Sequence, residues 1–421
     1  MSGGEEVSCC TFAVTKENVI FQPIYVCHSC FPSEASCCSI CESCAERCHA
    51  NHDGLEYMGV GPSYCDCHTN SHGCSLLETS HTMLRQLHHS SSSSIIKPSS
   101  FYDSTINHNH CNLEYKVYTI PSLIQSINND YIQQAKTLVS YTKETHWLSP
   151  LSQENLCGLE QLVYSILQQH NHIDDDVGAE WWVQVSSSNQ KGVVDLHYDK
   201  DERLASLFGL GHFPLISTVT YLSDNNNDSP QLPTIIFPHS YFQECEMQSS
   251  KVLISYPKRG KHLQFNGTYL HGVPYIPTTT TTTSTTRVTL LVNIWKSWKP
   301  LGIQSLPSDI RQSIIQQSSS SKHYSCGSSQ PFWEEYTHTV PTISVTNNED
   351  DEPFYLPFVS KDATWIDDDD DEENDQLMVA LYPPPLPKDT NNDTILYQYD
   401  ESFAPQFYRV EEDEEESFSG E

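Results

Sequence analysis

Positive charge is scarce in this chain of 421 residues, because 22 lysines and arginines stand against 55 aspartates and glutamates, for a net charge of -33 at pH 7. Nucleic acids are held largely by basic side chains, so we expect no nucleic-acid partner. Apolar runs of the ~20 residues that a membrane helix needs are also missing. The start, Met-Ser-Gly-Gly-Glu-Glu, lacks the basic and apolar segments of a signal peptide. We therefore expect an intracellular chain with no membrane partner, in the cytoplasm, the nucleus or both, where thiols stay reduced.

The acidity is concentrated towards the C-terminal end. Residues 1–110 carry 4 basic and 11 acidic groups, residues 111–300 carry 13 and 17, and residues 301–421 carry 5 and 27. An unbroken acidic run such as 367–373 repels itself and stays solvated. We therefore predict that residues 301–421 form a largely disordered acidic tail, which serves solubility or binds a basic protein.

Cysteine is concentrated at the other end, where twelve of the 16 cysteines fall between Cys9 and Cys74. In a reducing compartment this density indicates metal binding rather than disulfides. The segment contains two Cys-x-x-Cys pairs, at 27–30 and 41–44, then Cys-His-Ala-Asn-His at 48–52 and Cys-Asp-Cys at 65–67. Thiolates and imidazoles at such short spacings suit tetrahedral zinc, with each pair forming half a site.

This head, residues 8–80, resembles a UBR box, the zinc domain of the N-recognin ubiquitin ligases. The resemblance implies three zinc ions, one shared cysteine and a partner in the ubiquitin system. The candidate ligands carried over are Cys10, Cys27, Cys30, Cys41, Cys44, Cys48, His49, His52, Cys65, Cys67 and Cys74. His81 is the alternative to Cys48, while Cys9, Cys37 and Cys38 are spare.

The residues after Cys-Asp-Cys bear on what the head binds. In N-recognins a glycine and an acidic residue follow, and the acids cradle a positively charged N-terminal residue. Here Asp66 matches one acid, but His68 and Thr69 replace the glycine and the second acid. We expect a basic N-terminus to bind weakly or not at all. Recognition of peptide termini, with Tyr64 and Asp66 as the residues involved, and docking of a protein partner both stay open.

Beyond a serine-rich and histidine-rich linker at 81–110, residues 111–300 alternate as a β domain does. Helical spacing at 123–139 and 159–167 predicts two supporting helices. The predicted strands lie near 180–187, 193–199, 215–222, 233–237, 251–256, 261–265 and 287–295. Seven or eight short strands with supporting helices indicate a mainly β fold, the double-stranded β-helix or jelly roll. The whole chain is therefore predicted to be multidomain, with a zinc-stabilised head, a jelly roll and an acidic tail.

The jelly-roll region contains His197-Tyr198-Asp199 and, further on, His271. Two histidines and one carboxylate are the set that holds ferrous iron on one face and leaves the opposite positions open. Strand alternation directs His197 and Asp199 to the same side. It also places Arg287 and Thr289 on one face of a later strand, and an arginine aimed into a barrel needs an anion there.

These residues resemble the iron and 2-oxoglutarate dependent dioxygenases, in particular the prolyl-hydroxylase-like branch. The resemblance implies that His197, Asp199 and His271 hold Fe(II). It further implies that Arg287 and Thr289 grip the far carboxylate of 2-oxoglutarate, with ascorbate as a further candidate cofactor. Tyr221, on a predicted strand, is either a further contact to that carboxylate or a packing residue of the sheet. The segment before Arg287 includes a threonine and serine run, 278–286, that looks like a loop insertion.

The prediction for the whole chain is an oxygenase that hydroxylates a protein or peptide, with the head as a recognition module. The alternative is a non-enzymatic, zinc-dependent adaptor of the ubiquitin and N-degron system with an inactive jelly roll. A complete ligase is disfavoured because no RING or HECT-like cysteine pattern follows the head. Arg287 argues against a third reading, a cupin-type metal protein without 2-oxoglutarate.

Overall fold

The described part of the computed structural model covers most of the head and of the β domain, and shorter stretches beyond. It comprises residues 9–17, 20–31, 38–70, 73–89, 114–121, 123, 130–151, 155–169, 177–187, 194–224, 232–240, 251–274, 286–317, 334–335, 340–345, 354–359, 376–381, 393–399 and 405–409. The serine run 90–94, most of the threonine run and the acidic runs 367–373 and 411–416 lie outside these residues. No helix within them is long and apolar enough to cross a membrane.

Short helices and many strands make up these residues. The helices are α1 (Phe12–Thr15), α2 (Glu42–Arg47), α3 (Leu77–His89), α4 (Asp130–Tyr141), α5 (Gly158–Gln169), α6 (Glu202–Phe208) and α7 (Ser308–Gln317), with a 3-10 turn at Cys67–Thr69. The strands are β1 (Ile20–Cys27), β2 (Leu55–Ser63), β3 (Tyr115–Thr119), β4 (His146–Leu148), β5 (Val177–Ser187), β6 (Val194–His197), β7 (Ile216–Tyr221), β8 (Thr234–Ser240), β9 (Lys251–Ser255), β10 (Lys261–Asn266), β11 (Tyr269–Val273), β12 (Thr286–Lys296), β13 (Glu334–Glu335), β14 (Thr342–Val345), β15 (Phe354–Val359), β16 (Gln376–Leu381), β17 (Thr394–Tyr399) and β18 (Gln406–Arg409). The prediction of a mainly β chain with a cysteine-rich head is confirmed.

The head is small and irregular. β1 and β2 pair antiparallel, and the register shifts at Ile24 and Tyr25. Cysteines gather beside this pair in one buried cluster with Phe31 and Ile40. They come from the residues before α1, from β1, from the start of α2 and from the 3-10 turn region: Cys10, Cys27, Cys41, Cys44, Cys65 and Cys67. A domain with so little apolar core needs a further source of folding energy, which structural metal ions supply in small domains.

Two larger sheets form the second region. One has the order β13-β3-β10-β7-β12-β5-β4 and the other β14-β17-β9-β8-β11-β6. From β5 to β8 the chain alternates between the two sheets, and it does so again from β9 to β12. This winding is compatible with the jelly roll that the sequence predicts.

Strand alternation determines which side chains of β12 face the helices and which face the other sheet. Val288, Leu290, Val292 and Ile294 of β12 pack with α4, α5 and α7 in the largest apolar cluster. The opposite face of β12, with Arg287 and the alternate residues after it, is therefore turned towards the other sheet.

Packed structure continues past the predicted end of the head at residue 80 and past the predicted end of the β domain at residue 300. α3 continues past residue 80 to His89, and its first turns hold Leu77 and Met83 against an apolar cluster. At the other end, residues 301–317 include the buried Leu306 and Ile314. Arg311 of α7 makes a bidentate pair with the buried Glu160, at 2.7 and 2.8 Å. The predicted boundary at residue 300 therefore cuts through packed structure.

A strand from within the predicted acidic tail also belongs to the second sheet. β17 pairs antiparallel with β9, and β14 pairs in parallel with the other edge of β17. Ile395, Tyr397 and Tyr399 are buried in the cluster on that sheet. For residues 393–399 the expectation of a disordered tail is wrong, because this segment extends the sheet beside β9 and buries its alternating apolar side chains in the same cluster.

Candidate functional site

The two histidines and the aspartate of the predicted iron site lie together. His197 ends β6, Asp199 follows two residues later, and His271 stands opposite His197 in the pairing of β6 with β11. The Nε2 atoms of His197 and His271 each lie 3.5 Å from an Asp199 carboxylate oxygen. One ligand atom from each residue falls within 4.8 Å of the others, as a shared metal ion requires.

The imidazole rings are oriented by the backbone. Nδ1 of His197 lies 2.6 Å from the Asp195 carbonyl oxygen, and Nδ1 of His271 lies 2.9 Å from the Tyr269 carbonyl oxygen. A carbonyl only accepts, so both Nδ1 atoms carry the proton and both Nε2 lone pairs face the site. The Ser217 hydroxyl donates to Asp199 Oδ2 at 2.7 Å and fixes the carboxylate as well. Ligands held by outer partners in this way are pre-arranged for a metal.

The electrostatics of the site suit a cation. Burial alone would raise the pKa of Asp199, but His271, His197 and the Ser217 hydroxyl hold it well below its ordinary value. Burial lowers the pKa of His271 to about 4, against the opposing pull of Asp199. At neutral pH His271 is thus a neutral imidazole beside an ionised Asp199, and these are the protonation states in which both side chains bind a divalent metal.

Arg287 and Thr289 lie on the inner face of β12 and are both buried. Nη2 of Arg287 donates to Thr234 Oγ1 at 3.0 Å. Its Nε and Nη1 atoms are buried without a hydrogen-bond partner, and so is the Thr289 hydroxyl. Burial lowers the pKa of Arg287, yet a guanidinium stays protonated in proteins. A buried cation with idle donors costs stability unless an anion binds it, so the donors in this corner of the barrel can receive a small anion.

Tyr221 lies beside this arginine, with the ring centroid 5.7 Å from the guanidinium carbon. Its hydroxyl is within hydrogen-bonding distance of Thr234 Oγ1, at 2.9 Å, and of the Ser255 carbonyl oxygen, at 3.0 Å. These partners are protein atoms, so the described role of Tyr221 is to hold Thr234 and shield Arg287. A contact with a cosubstrate carboxylate stays a prediction.

A second buried cation, Lys261, stands 5.1 Å from the Tyr221 ring centroid. Its Nζ atom donates to the carbonyl oxygens of Tyr256 and Asp393, the latter at 2.7 Å, and to Thr394 Oγ1 at 3.0 Å. The Asp393 carboxylate lies 3.3 Å away. Burial lowers the pKa of Lys261 to about 7, with Asp393 opposing the shift and Arg287 adding to it. Lys261 is thus satisfied by the chain, whereas Arg287 is not.

In the head, the predicted zinc ligands form three groups of four. The groups are Cys10, Cys41, Cys44 and Cys65; Cys27, Cys30, His49 and His52; and Cys44, Cys48, Cys67 and Cys74. Cys44 belongs to two groups, so eleven residues fill twelve positions, as the sequence resemblance implies. Thiolates and imidazoles in sets of four are the ligands of structural zinc.

The distances within these groups are short. Cys30 Sγ lies 3.1 Å from His52 Nδ1, and Cys44 Sγ lies 3.5 Å from Cys74 Sγ. Cys48 Sγ lies 4.0 Å from Cys74 Sγ. The structure therefore groups Cys48 with the candidate ligands, while the alternative, His81, lies 3.0 Å from the Lys16 ammonium and outside the three groups.

Cys9, Cys38 and Asp66 belong to none of the three groups, although Cys38 packs against the cysteine cluster. Cys9 is buried against the β domain and Cys38 is half-buried, while Cys37 lies outside the described residues. Asp66 is buried, and its Oδ2 accepts a hydrogen bond from the Ser39 amide at 2.9 Å. The one acid that matches the N-recognin pocket is therefore engaged in a backbone contact.

Three residues around the sites follow from no motif. Ser217 and Thr234 carry short hydroxyls on strands that the sequence does predict, and nothing in their spacing sets them apart from sheet threonines and serines that only pack. Lys261 could have been noticed, because a lysine in register with the inward-facing Leu263 must be paired.

Comparison with known proteins gives distant likenesses only. No protein-family model matches the sequence. Among solved structures, a Pseudomonas putida prolyl-4-hydroxylase has 12% identity and a TM-score of 0.28, covering 45% of this chain and 89% of its own. HygX from Streptomyces hygroscopicus, with nickel and 2-oxoglutarate bound, has 12% identity and a TM-score of 0.28, with coverages of 47% and 90%. IDO from Bacillus thuringiensis has 12% identity and a TM-score of 0.25, with coverages of 44% and 93%. Likenesses this distant carry no argument about what this chain does.

Proposed function

We propose that this chain is an intracellular Fe(II) and 2-oxoglutarate dependent oxygenase that hydroxylates a protein or peptide. The observation that carries the proposal is the buried Arg287 guanidinium, with two idle nitrogens, in the same barrel as a group of two histidines and one carboxylate. The metal group alone would suit several reactions. Arg287 and Thr289 on the same strand both carry buried donors without hydrogen-bond partners, and a carboxylate ligand would pair with both.

The residues present fit both cofactors. His197, Asp199 and His271 would hold Fe(II) through two neutral imidazoles and a carboxylate, a set that leaves coordination positions open. Arg287 would pair with the far carboxylate of 2-oxoglutarate, assisted by Thr289, and this charge-assisted contact fixes the orientation of the cosubstrate. When bound, the cofactors would supply the oxidation chemistry with O2 as the oxidant: one oxygen atom enters the succinate formed with CO2 from 2-oxoglutarate, and the other enters a C–H bond of the substrate, with ascorbate as a candidate reductant.

The protein's own contribution is position and shielding. Asp199 and His271 are at most 8% exposed, whereas the His197 side chain is 24% exposed. The metal group therefore opens to solvent on the His197 side, where a substrate can approach. Ser217 keeps the Asp199 carboxylate turned towards the two histidines.

We further propose that the head binds three zinc ions and serves partner or substrate recognition. Eleven thiols and imidazoles in three complete groups support the metal assignment. Because Asp66 is engaged with the Ser39 amide, we favour docking of a protein partner, including one from the ubiquitin system, over capture of a basic N-terminus. The alternative function, a zinc-dependent adaptor with an inactive barrel, needs the head but not the unsatisfied Arg287.

Turnover of 2-oxoglutarate to succinate by the purified full chain, with Fe(II) and ascorbate present, tests the proposal. Candidate substrate peptides should raise the rate. Asp199→Ala removes a ligand from the metal group and should abolish both metal binding and succinate formation. If wild type binds no Fe(II), or if Asp199→Ala produces as much succinate as wild type, the adaptor function takes the place of the oxygenase.

A further inference from the structure

The head and the β domain share one apolar cluster. Cys9, Ala13 and Val14 of the head pack there with Leu204, Phe208 and Trp298 of the β domain. All six are at most 5% exposed, with Cys9 and Leu204 at 0%. A module that hangs on a flexible tether would not bury this surface, so the two regions behave as one packed unit.

The contact falls on helix α6. The Cys9 amide donates to the Leu207 carbonyl oxygen at 2.9 Å, in the last turn of that helix. The next residue, Cys10, belongs to the first group of candidate zinc ligands, and its amide donates to Ser80 Oγ at 2.8 Å. One residue therefore separates a zinc ligand from the C-terminal end of α6.

The other end of α6 is fixed by Asp201, which is 1% exposed. Its Oδ1 accepts from the Leu204 amide at 2.9 Å, as a helix N-cap does. Its Oδ2 accepts from Trp298 Nε1 at 3.0 Å and from the Leu301 amide at 2.8 Å. Asp201 stands two residues after Asp199, so these bonds anchor the chain directly behind the iron ligand.

We propose that α6 couples the zinc head to the iron site, with Asp201 as a positioning residue for Asp199. The inference rests on the proposed iron site. Zinc binding folds the head, the folded head packs on one end of α6, and Asp201 transmits the position of the other end to Asp199. Fe(II) affinity then depends on zinc occupancy, and by thermodynamic reciprocity zinc affinity depends on bound iron.

A pair of matched leucine variants of the full chain tests the coupling. Leu204 and Leu162 are both helical and both buried, but Leu204 belongs to the cluster shared with the head and Leu162 to the cluster under the large sheet. Leu204→Ala should weaken Fe(II) binding about tenfold in anaerobic equilibrium dialysis, with zinc retained by elemental analysis. Leu162→Ala should leave the affinity within about twofold. Equal iron affinities in the two variants would overturn the proposal.

Asp201 itself is tested by two substitutions. Asp201→Ala should weaken Fe(II) binding as Leu204→Ala does, and Asp201→Asn, which keeps one acceptor oxygen, should recover part of the loss. Wild-type iron affinity in Asp201→Ala would contradict the positioning role.

Hydrogen exchange provides a readout that needs neither iron nor folding of a variant. In the wild-type chain, removal of zinc with a chelator should accelerate exchange of the Leu204 and Gly209 amides, which bond within α6. Unchanged protection of these amides without zinc would show that the head does not brace the helix. Failure of wild type to bind Fe(II) would instead contradict the proposed function, so the two failures are distinguishable.

Discussion

The head and the barrel interior satisfy their polar groups in opposite ways. In the head, eleven thiols and imidazoles lie against one another in three closed groups, so bound metal ions would complete the domain. In the barrel, Arg287 and Thr289 are buried but keep hydrogen-bonding atoms without partners. Leaving such atoms unpaired costs about 1–3 kcal/mol each. Metal ions alone would thus complete the three thiol and imidazole groups of the head, whereas the barrel holds a buried cation, Arg287, that also needs a small anion. This difference favours the barrel as the place where a small anionic ligand binds.

Loss of the shared ligand should have the largest effect. Cys44 belongs to two of the three groups, so Cys44→Ser should release two zinc ions and unfold the head, since structural zinc contributes roughly 10 kcal/mol or more to such domains. Elemental analysis measures the zinc content, and protease sensitivity measures the unfolding of the head. Cys9→Ser is the control, because Cys9 is buried but outside the groups, and it should keep all three ions. Full zinc content in Cys44→Ser would remove the distinction between the two regions.

The second-largest effect is expected from removing the carboxylate that pairs with the buried Lys261. That carboxylate belongs to Asp393. At about pH 5, two pH units below the Lys261 pKa of about 7, Asp393→Asn should lower the free energy of unfolding by about 3 kcal/mol, because the protonated lysine loses its partner and must deprotonate or stay buried unpaired. The double variant Lys261→Met with Asp393→Asn should recover most of the loss. Lys258 also pairs with Asp393, at 2.7 Å, but its side chain is 52% exposed, so Lys258→Ala should cost at most about 1 kcal/mol. Denaturant unfolding compares the variants. Equal losses in Asp393→Asn and Lys258→Ala would mean that Lys261 does not need this carboxylate.

The threonine hydroxyl should give a smaller and ligand-dependent effect. Thr289→Val removes an idle buried hydroxyl, so the unliganded protein should be as stable as wild type or slightly more stable. Affinity for 2-oxoglutarate should fall by about fivefold, the value of one neutral hydrogen bond near 1 kcal/mol. Thr218→Val is the matched control, because the Thr218 hydroxyl already donates to the Val292 carbonyl oxygen at 2.9 Å. That variant should lose stability and keep its affinity. If Thr289→Val lost stability but kept its affinity for 2-oxoglutarate, and Thr218→Val lost affinity but kept its stability, the assignment of Thr289 would be contradicted.

The smallest expected effect belongs to the head as a peptide site. A peptide with an N-terminal arginine should bind weakly or not at all, because Thr69 replaces the expected acid and Asp66 is bonded to the Ser39 amide. Calorimetry with free and N-acetylated peptides measures this. Low-micromolar binding that acetylation abolishes would show that the head, like the barrel, recognises a small charged ligand.

The sequence predicts which candidate ligands lie together in both regions because their spacing is local. Pairs such as Cys27 with Cys30, or His197 with Asp199, depend only on a turn or on strand alternation. The strand that carries His271 is harder to predict, because Gly272 lies inside it and weakens the β pattern. A side chain at Gly272 would lie 3.0 Å from the carbonyl oxygens of Val194 and Asp195, so the glycine allows β6 to approach.

Contacts between residues that are far apart in the sequence cannot be predicted from such local patterns. Lys261 and Asp393 are separated by 132 residues, and the strand that follows Asp393 lies in a segment whose acidic composition predicts disorder. The alternation in Thr-Ile-Leu-Tyr-Gln-Tyr at 394–399 is present, but a charge count over the whole segment conceals it. The packing of the head on α6 is likewise a product of tertiary structure, since no motif links Cys9 to Leu207.

Separate measurement of Fe(II) and 2-oxoglutarate affinities for wild type and Arg287→Ala tests the central claim most directly. If the idle guanidinium awaits a carboxylate, Arg287→Ala should weaken 2-oxoglutarate binding by about 100-fold, a loss of a few kcal/mol for a buried charge-assisted pair. Fe(II) binding should change little, because the candidate metal ligands lie on β6 and β11 and in the residues after β6. Arg287→Ala that binds 2-oxoglutarate as tightly as wild type, or a wild-type protein that binds none, would contradict the account.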